Sequence, residues 1–531
     1  CIEKRLIVVL LLFLALASTA KDKVKVACVG NSVTFGYGLN NREQTCYPAV
    51  LQRLLGTNYD VRNFGHSGTT LLTEGHRPYI QQTEYKEALA FKPDWVVIHL
   101  GLNDTDPRNW PNYNQHFKRD YQLLINAFRK ENPKAKIWIC LMTPIFHTHP
   151  RFESGTRDWH AAIQQHIHDI AKANHVELID LHTPLYSRPN LFADALHPNA
   201  EGAEIMAQTI RSALTGDYGG LKMSPLYADE MVMQRREPIV FRGTANAGEQ
   251  VKVTFLGKKE TTKVKTNGQW EATKAQQRTI RHIYIGEVWL CSGQSNMEFP
   301  VSQSTSAHED LATAAKQPLL HLFNMYTRFP TNAEKWDETT LEAVNKLALM
   351  GGNTWETANE NTIKNFSAVA YHFGKALADS LKVPVGIICN AVGGTTTESW
   401  IDRNTLEWRF PSILHDWYHG DFGQPWARQR ALQNIALAPK TALQRHPYEP
   451  CYMFEVAMLP LKDYAIRGVA WYQGESNAHN IELHARLFHL LEKSWRHFFH
   501  RQKLPFLVVQ LSSLNRPSWP EFRDSQRRLS A

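Results

Sequence analysis

Between residues 24 and 214, short apolar runs alternate with stretches whose apolar positions recur at helical spacing. The runs Val24–Val29, Trp95–Leu100, Ile137–Leu141 and Val176–Leu181 are β-rich and nearly all apolar. Strands of that kind suit a parallel sheet buried on both faces. Between them, Tyr113, Phe117, Tyr121, Ile125 and Phe128 mark one amphipathic helix, and Trp159, Ile163, Ile167 and Ile170 another. The alternation predicts a three-layer α/β domain with right-handed crossovers over residues 21–216. Gly216-Asp217-Tyr218-Gly219-Gly220 then opens a linker, placed at 217–224.

Residues 225–282 change character. Val232, Ile239–Phe241, Val251–Phe255 and Val264 sit in short segments broken by Gly243, Gly248, Gly257 and Asn267-Gly268. Asn-Gly between strand-like runs signals a hairpin, so a small antiparallel β domain is expected here. From residue 283 to 531 the α/β pattern returns. Ile285–Leu290, Val385–Cys389, Val469–Tyr472 and Phe506–Leu511 are its candidate strands, and Ala368–Leu381 a helix ending before Pro384. The fold class read from the pattern is thus α/β, with two such domains in tandem and a small antiparallel unit between them.

Composition adds limits. The chain has 531 residues, 43% hydrophobic and 21% charged, the balance of a globular protein with several cores. The formal charge of +8 is scattered, with no basic block beyond pairs such as Arg235-Arg236, so no nucleic-acid partner is expected. Lys4 and Arg5, the apolar run Leu6–Ala17 and Ser18-Thr19-Ala20 have the three parts of a signal peptide over residues 1–20. That run is short of the roughly 20 residues a membrane helix needs, so no membrane insertion is expected after signal removal, and the mature protein is expected to be secreted or periplasmic. A first residue other than Met, and a final segment from Trp519 that starts like a helix and meets no stop signal, are expected of a chain cut at both ends. The seven cysteines are spread widely; Cys28, Cys140 and Cys389 lie inside apolar runs as small buried hydrophobes, and one disulfide is permitted.

The candidate chemistry begins with Gly30-Asn31-Ser32, directly after the first strand. Open α/β sheets bind ligands at the C-terminal ends of their strands. Three further blocks follow in order: Asn63-Phe64-Gly65-His66-Ser67-Gly68-Thr69, Gly101-Leu102-Asn103-Asp104, and Asp194-Ala195-Leu196-His197-Pro198-Asn199. A serine needs a base to take its proton, and that base an acid to orient it; Ser32, His197 and Asp194 supply those types. An oxyanion needs preorganised donors, for which the backbone of Ser32 and Gly68 and the side-chain amide of Asn103 are candidates. Glycine at 68 lets the backbone approach a reacting carbonyl. His147/His149 and His166/His168 are spaced two apart, which on a helix makes the second pair a poor metal clamp and leaves all four solvated or capping roles; no Lys-Ser/Thr follows Gly30, Gly36 and Gly38, so neither a metal nor a phosphate-binding loop is expected.

These four blocks resemble the SGNH (GDSL-type) hydrolase superfamily across residues 24–214. The resemblance implies a flavodoxin-like fold, acyl-enzyme chemistry without metal or cofactor, Ser32 as nucleophile, Gly68 and Asn103 as oxyanion donors, and Asp194 and His197 as acid and base. Asn31 departs from the Asp usual in the first block.

The second half repeats strand-then-serine in Gly286–Glu298, which contains Ser292-Gly293-Gln294-Ser295-Asn296-Met297, followed by Asn390–Thr395 and Trp471–Asn477. From about Leu226 onward it resembles the sialate O-acetylesterase family. That resemblance implies Ser295 as nucleophile, Gly394 (or Gly393) as oxyanion donor and Asn477 as side-chain donor. Against that family's pattern the small β domain is expected to be shortened here, by a strand or two before Ile283. Its acid and base are expected in a block beyond this chain, which would leave Ser295 inert. The function expected from both resemblances is removal of acetyl esters from an O-acetylated carbohydrate, with sialic acids as the leading substrate. Acetylated xylan or pectin, and glycan binding by a non-catalytic second half, are the alternatives.

Overall fold

The computed structural model describes residues 22–272, 280–331, 334–352, 354–440 and 443–529; the segment read as a signal peptide and Cys1 lie outside them. In the first domain β1 (Val24–Gly30), β2 (Tyr59–Gly65), β3 (Trp95–His99), β4 (Lys136–Leu141) and β5 (Glu177–Asp180) form one parallel sheet in the order β2-β1-β3-β4-β5. Their residues are apolar on both faces because helices flank the sheet. Tyr47–Leu55 packs with Ala200–Thr215, and Phe117–Glu131 with Arg157–Asn174. Phe117, Tyr121, Ile125, Phe128, Ile163, Ile167 and Ile170 are buried as the helical spacing predicts. The strand order reverses between β1 and β3, the kind of switch point at whose C-terminal strand ends open α/β sheets bind ligands.

The small β unit has β6 (Lys222–Met223), β8 (Phe241–Thr244) and β11 (Gln269–Ala272) in a three-stranded antiparallel sheet, and β9 (Gln250–Phe255) and β10 (Lys258–Lys263) in a hairpin; β7 (Val232–Gln234) lies between them in sequence. The hairpin turns at Leu256-Gly257, both with positive φ, as a two-residue turn requires. Asn267-Gly268 closes a second tight turn, Lys265 donating to Gln269. Two features differ from the sequence reading. The first strand, β6, falls inside the span read as linker. β7 leaves the unit and pairs in parallel with the next domain, because Val232 and its neighbours Leu226, Tyr227 and Met231 are buried in that domain's core. The strands expected to be missing before Ile283 fall partly on residues outside those described.

In the second α/β domain β12 (Tyr284–Gly293), β13 (Leu320–Met325), β14 (Trp355–Thr357), β15 (Val385–Ala391), β16 (Gly468–Tyr472) and β17 (Phe506–Val508) run in the order β14-β13-β15-β12-β16-β17, all parallel except β14. β12, flanked by β15 and β16, repeats β1 flanked by β2 and β3; β17 then repeats β4. Among the described residues this sheet has no strand in the position of β5. β13 and β14 escape the pattern reading because His321 and Asn324 interrupt the apolar run of one and the other has three residues.

The two α/β domains meet through polar groups. Arg157 Nη1 donates to the Glu407 carbonyl (2.7 Å), the Tyr186 hydroxyl to Glu407 Oε2 (2.5 Å) and Arg445 Nη1 to the Ser187 carbonyl (2.9 Å). The six described cysteines are buried and unpaired. Among the described residues no helix is long and apolar enough to cross a membrane.

Candidate active site

Ser32 opens a four-residue helical turn after β1. The preceding Asn31 caps that turn, its Oδ1 accepting from the Val33 N–H (3.0 Å). An Asp would cap equally well, which accounts for the ease of the Asn31 departure.

The base arrives on the loop before the last helix. Asp194 Oδ1 accepts from the backbone N–H of Leu196 (3.1 Å) and His197 (2.8 Å), folding the loop around the carboxylate. Ala195 takes positive φ (64°) to make that turn, and its carbonyl is held by the Phe146 N–H (3.0 Å). Asn199 caps the following helix through Gly202 N–H (3.0 Å), fixing where His197 ends up. Asp194 Oδ2 lies 2.6 Å from His197 Nδ1, and His197 Nε2 lies 2.8 Å from Ser32 Oγ. With Nδ1–H directed at the carboxylate, Nε2 is free to accept the serine proton. Burial works to raise the Asp194 carboxyl, but the His197 ring and the two backbone N–H groups outweigh it and hold it down at about 2. It stays an anion throughout the range in which an imidazole titrates.

The oxyanion side is built from β2 and β3. Gly68 has φ +80°, the left-handed region that favours glycine, and a Cβ there would lie 3.2 Å from Arg77 Nη1. Within the described residues the N–H groups of Ser32 and Gly68 donate to no acceptor. Asn103 Nδ2 donates one hydrogen to the Thr69 carbonyl (2.9 Å), which fastens the two loops together and leaves its second N–H.

Two residues here were not singled out from sequence. Asp104, fully buried, accepts from the N–H groups of Leu71 (2.9 Å) and Leu72 (2.8 Å), anchoring the Gly68 loop to β3. Burial pushes its carboxyl up to about 6 against the pull of those hydrogen bonds. Tyr37 places its ring 4.8 Å from the His197 ring and is 54% exposed. Asp104 was visible as the last residue of its block; Tyr37 gives no signal beyond standing between Gly36 and Gly38.

In the second half the blocks come together differently. Ser295 is exposed beside Gly393 and Gly394 in a cleft of about 600 Å³ that also includes Trp426, Arg430 and Arg516. Gly394 repeats the backbone of Gly68, with φ +81°. Among the described residues no imidazole hydrogen-bonds to Ser295, and its neighbour Glu298 is engaged with the Gly393 N–H (2.7 Å). Asn477 is buried, its Nδ2 donating to Glu398 (2.9 Å) and its Oδ1 accepting from the Thr397 N–H (2.9 Å) and from Gln473 (2.7 Å). Counted from the strand-end glycines, Gly101 and Gly474, Asn477 stands at the register of Asp104 and does the same job. Ser476 stands at the register of Asn103, and its hydroxyl donates to the Gly394 carbonyl (3.0 Å).

A serine, an imidazole and a carboxylate in one hydrogen-bonded chain, beside free N–H groups at the switch point of a flavodoxin-order sheet, is the layout of a serine acyl hydrolase. Residues 28–205 match the GDSL-like Lipase/Acylhydrolase family, and residues 424–531 the Carbohydrate esterase, sialic acid-specific acetylesterase family. The N-terminal α/β domain is thus similar to one acyl hydrolase family and the C-terminal part of the chain to another. It is 39% identical over 215 residues to an acetylxylan esterase from Xylanibacter ruminicola, covering 36% of this chain and 44% of that one. It is 30% identical over 251 residues to a sialate O-acetylesterase from Mus musculus, covering 44% of each. The chain thus spans less than half the length of either. A solved carbohydrate acetylesterase from Xanthomonas citri aligns at 25% identity and a TM-score of 0.44, over 58% of this chain and 66% of that one.

Proposed function

We propose that the protein is an exported carbohydrate O-acetylesterase whose working centre is Ser32, His197 and Asp194. The observation that carries this reading is the continuous chain Ser32 Oγ–His197 Nε2 (2.8 Å) and His197 Nδ1–Asp194 Oδ2 (2.6 Å). Ser32 Oγ attacks the acetyl carbonyl while His197 Nε2 takes its proton. The N–H groups of Ser32 and Gly68 and the amide of Asn103 face the developing oxyanion. On collapse His197 returns the proton to the sugar oxygen as the ester C–O bond breaks, leaving acetyl-Ser32. Water, deprotonated by His197, then attacks that ester, and acetate leaves as Ser32 regains its proton.

O-acetylated sialic acid is one candidate substrate, supported by the C-terminal family match and the mammalian relatives. Acetylated xylan is the other, supported by the higher identity to the Xylanibacter relative. The N-terminal charge and apolar pattern supports export. Acetate release from both substrates by the wild type, Ser32→Ala and Ser295→Ala tests the assignment. Ser32→Ala is expected to lose about 10³-fold or more and Ser295→Ala less than twofold; a dominant loss from Ser295→Ala would reverse the assignment.

A further inference from the structure

Beside His197 runs a cleft of about 410 Å³ walled by Tyr37, Leu39, Asn40, Asp194, His197 and Asn199. Its large exposed hydrophobic side chain is Tyr37. That ring is held on a turn between Gly36 (φ +89°) and Gly38 (φ +77°), and the turn is tied to the nucleophile by the Tyr37 N–H donating to the Ser32 carbonyl (2.9 Å). An aromatic face left in water beside a reacting imidazole forgoes the gain of burial unless a ligand covers it.

We infer that Tyr37 is the platform for the leaving group, and that this leaving group is an uncharged sugar ring. The inference rests on the esterase reading above. His197 Nε2 must deliver its proton to the oxygen from which the acetyl group departs, so the alcohol half of the ester lies against the imidazole. Tyr37 flanks that imidazole, at 4.8 Å between ring centroids. A pyranose has an apolar C–H face to lie on an aromatic ring and hydroxyls at its rim for amides such as Asn40. The charge of the cleft selects against an anionic ring: its wall includes the carboxylates of Asp194 and Glu201, and neither Lys nor Arg lines it. Glu201 is paired with Arg188 (2.7 Å), while Asp194 hydrogen-bonds only to the His197 imidazole and backbone N–H groups, with the half-buried His149 near enough to feel its charge. Arg77 lies on the oxyanion side, against Gly68. The cleft at Ser295, by contrast, includes Arg430 and Arg516.

The test uses the full chain with Ser295→Ala, so that acetate comes from one centre. Acetate release is measured on acetylated methyl xyloside, on an O-acetylated sialic acid and on ethyl acetate, which has no ring. The expected result is faster turnover of the xyloside than of the sialic acid. In Tyr37→Ala the ratio of kcat/KM on the xyloside to that on ethyl acetate should fall about three- to tenfold, mainly through KM, the size of one lost aromatic contact. Tyr37→Trp should keep that ratio. Equal falls on both substrates in Tyr37→Ala would show that the ring only props His197, and preference for the sialic acid would refute the charge argument; either overturns the inference. Failure of the esterase reading itself is distinguishable, because then no substrate is turned over in a Ser32-dependent way.

Discussion

Replacing Asp104 with Ala tests whether the oxyanion loop is held from below. Its two carboxylate oxygens accept from Leu71 and Leu72, both buried, and nothing else accepts from those N–H groups. Stranding a buried donor costs about 1–3 kcal/mol, so two cost about 2–6 kcal/mol. In a domain of this size that is a fall of about 5–15 °C in Tm. The loss should depend on pH. The folded carboxyl, at about 6 because burial disfavours its charge, lies above its unfolded value, so its contribution is full below about pH 4 and declines as pH rises through 6. The advantage of wild type over Asp104→Ala therefore shrinks by up to about 3 kcal/mol between pH 4 and pH 7. Because the same loop carries Gly68, kcat should drop about tenfold or more as the oxyanion donor loses its position. Asp104→Asn keeps one acceptor, the arrangement Asn477 already uses toward Thr397, and should recover part of both losses. Thermal melts at pH 4.5 and 7.5 with acetate release at the higher pH provide the readings. A Tm within 1 °C of wild type and kcat within twofold for Asp104→Ala, thresholds set at about the noise of such measurements, would refute the reasoning.

Asp194→Asn is expected to lower kcat by about 10³- to 10⁴-fold with the fold intact, because the imidazole loses the group that selects its tautomer. The Asp194 carboxyl is depressed to about 2, so its contribution to stability is present above its unfolded value and lost as pH falls toward 2; the difference in stability from Asp194→Asn, followed from pH 7 downward, should hold to about pH 4 and collapse below. Arg445→Ala should destabilise the protein by about 3–5 kcal/mol in urea unfolding, since it leaves Glu449 and Glu455 buried with one cation, Arg403, in place of two. Ala195→Val should cost about 1–2 kcal/mol and slow turnover, because a β-branched residue resists the positive φ that turns Asp194 toward His197; the same melts and assays measure it.

The first site was legible because its chemistry restricts residue types at strand ends, and strand ends can be read from apolar runs. Ser32 and Asn103 each follow a readable break in such a run, His197 precedes the last helix, and the closed domain brings the three together. Tyr37 was not legible: its role comes from a turn between two glycines, with no periodicity, and from nearness to a histidine 160 residues on, which only the closed sheet creates. The second half shows how residue type can mislead where register decides. Asn477 shares its type with Asn103, but the count from Gly474 gives it the place of Asp104, and Ser476, at the place of Asn103, donates to the Gly394 carbonyl rather than to that of Thr395, the match of Thr69. Likewise Val232 reads as part of a small β unit until its burial beside Val288 and Leu290 draws it into the second sheet. In both cases the deciding quantity is burial against a partner far along the chain. The same reasoning separates the two serines. Each follows a strand, and a glycine with φ near +80° attends each. What differs among the described residues is that only Ser32 has an imidazole within hydrogen-bond reach, carried on the loop before the last helix of its domain. A hydroxyl becomes an effective nucleophile only when a base takes its proton, so the proposed chemistry at Ser32 depends on the imidazole within its reach rather than on the serine motif.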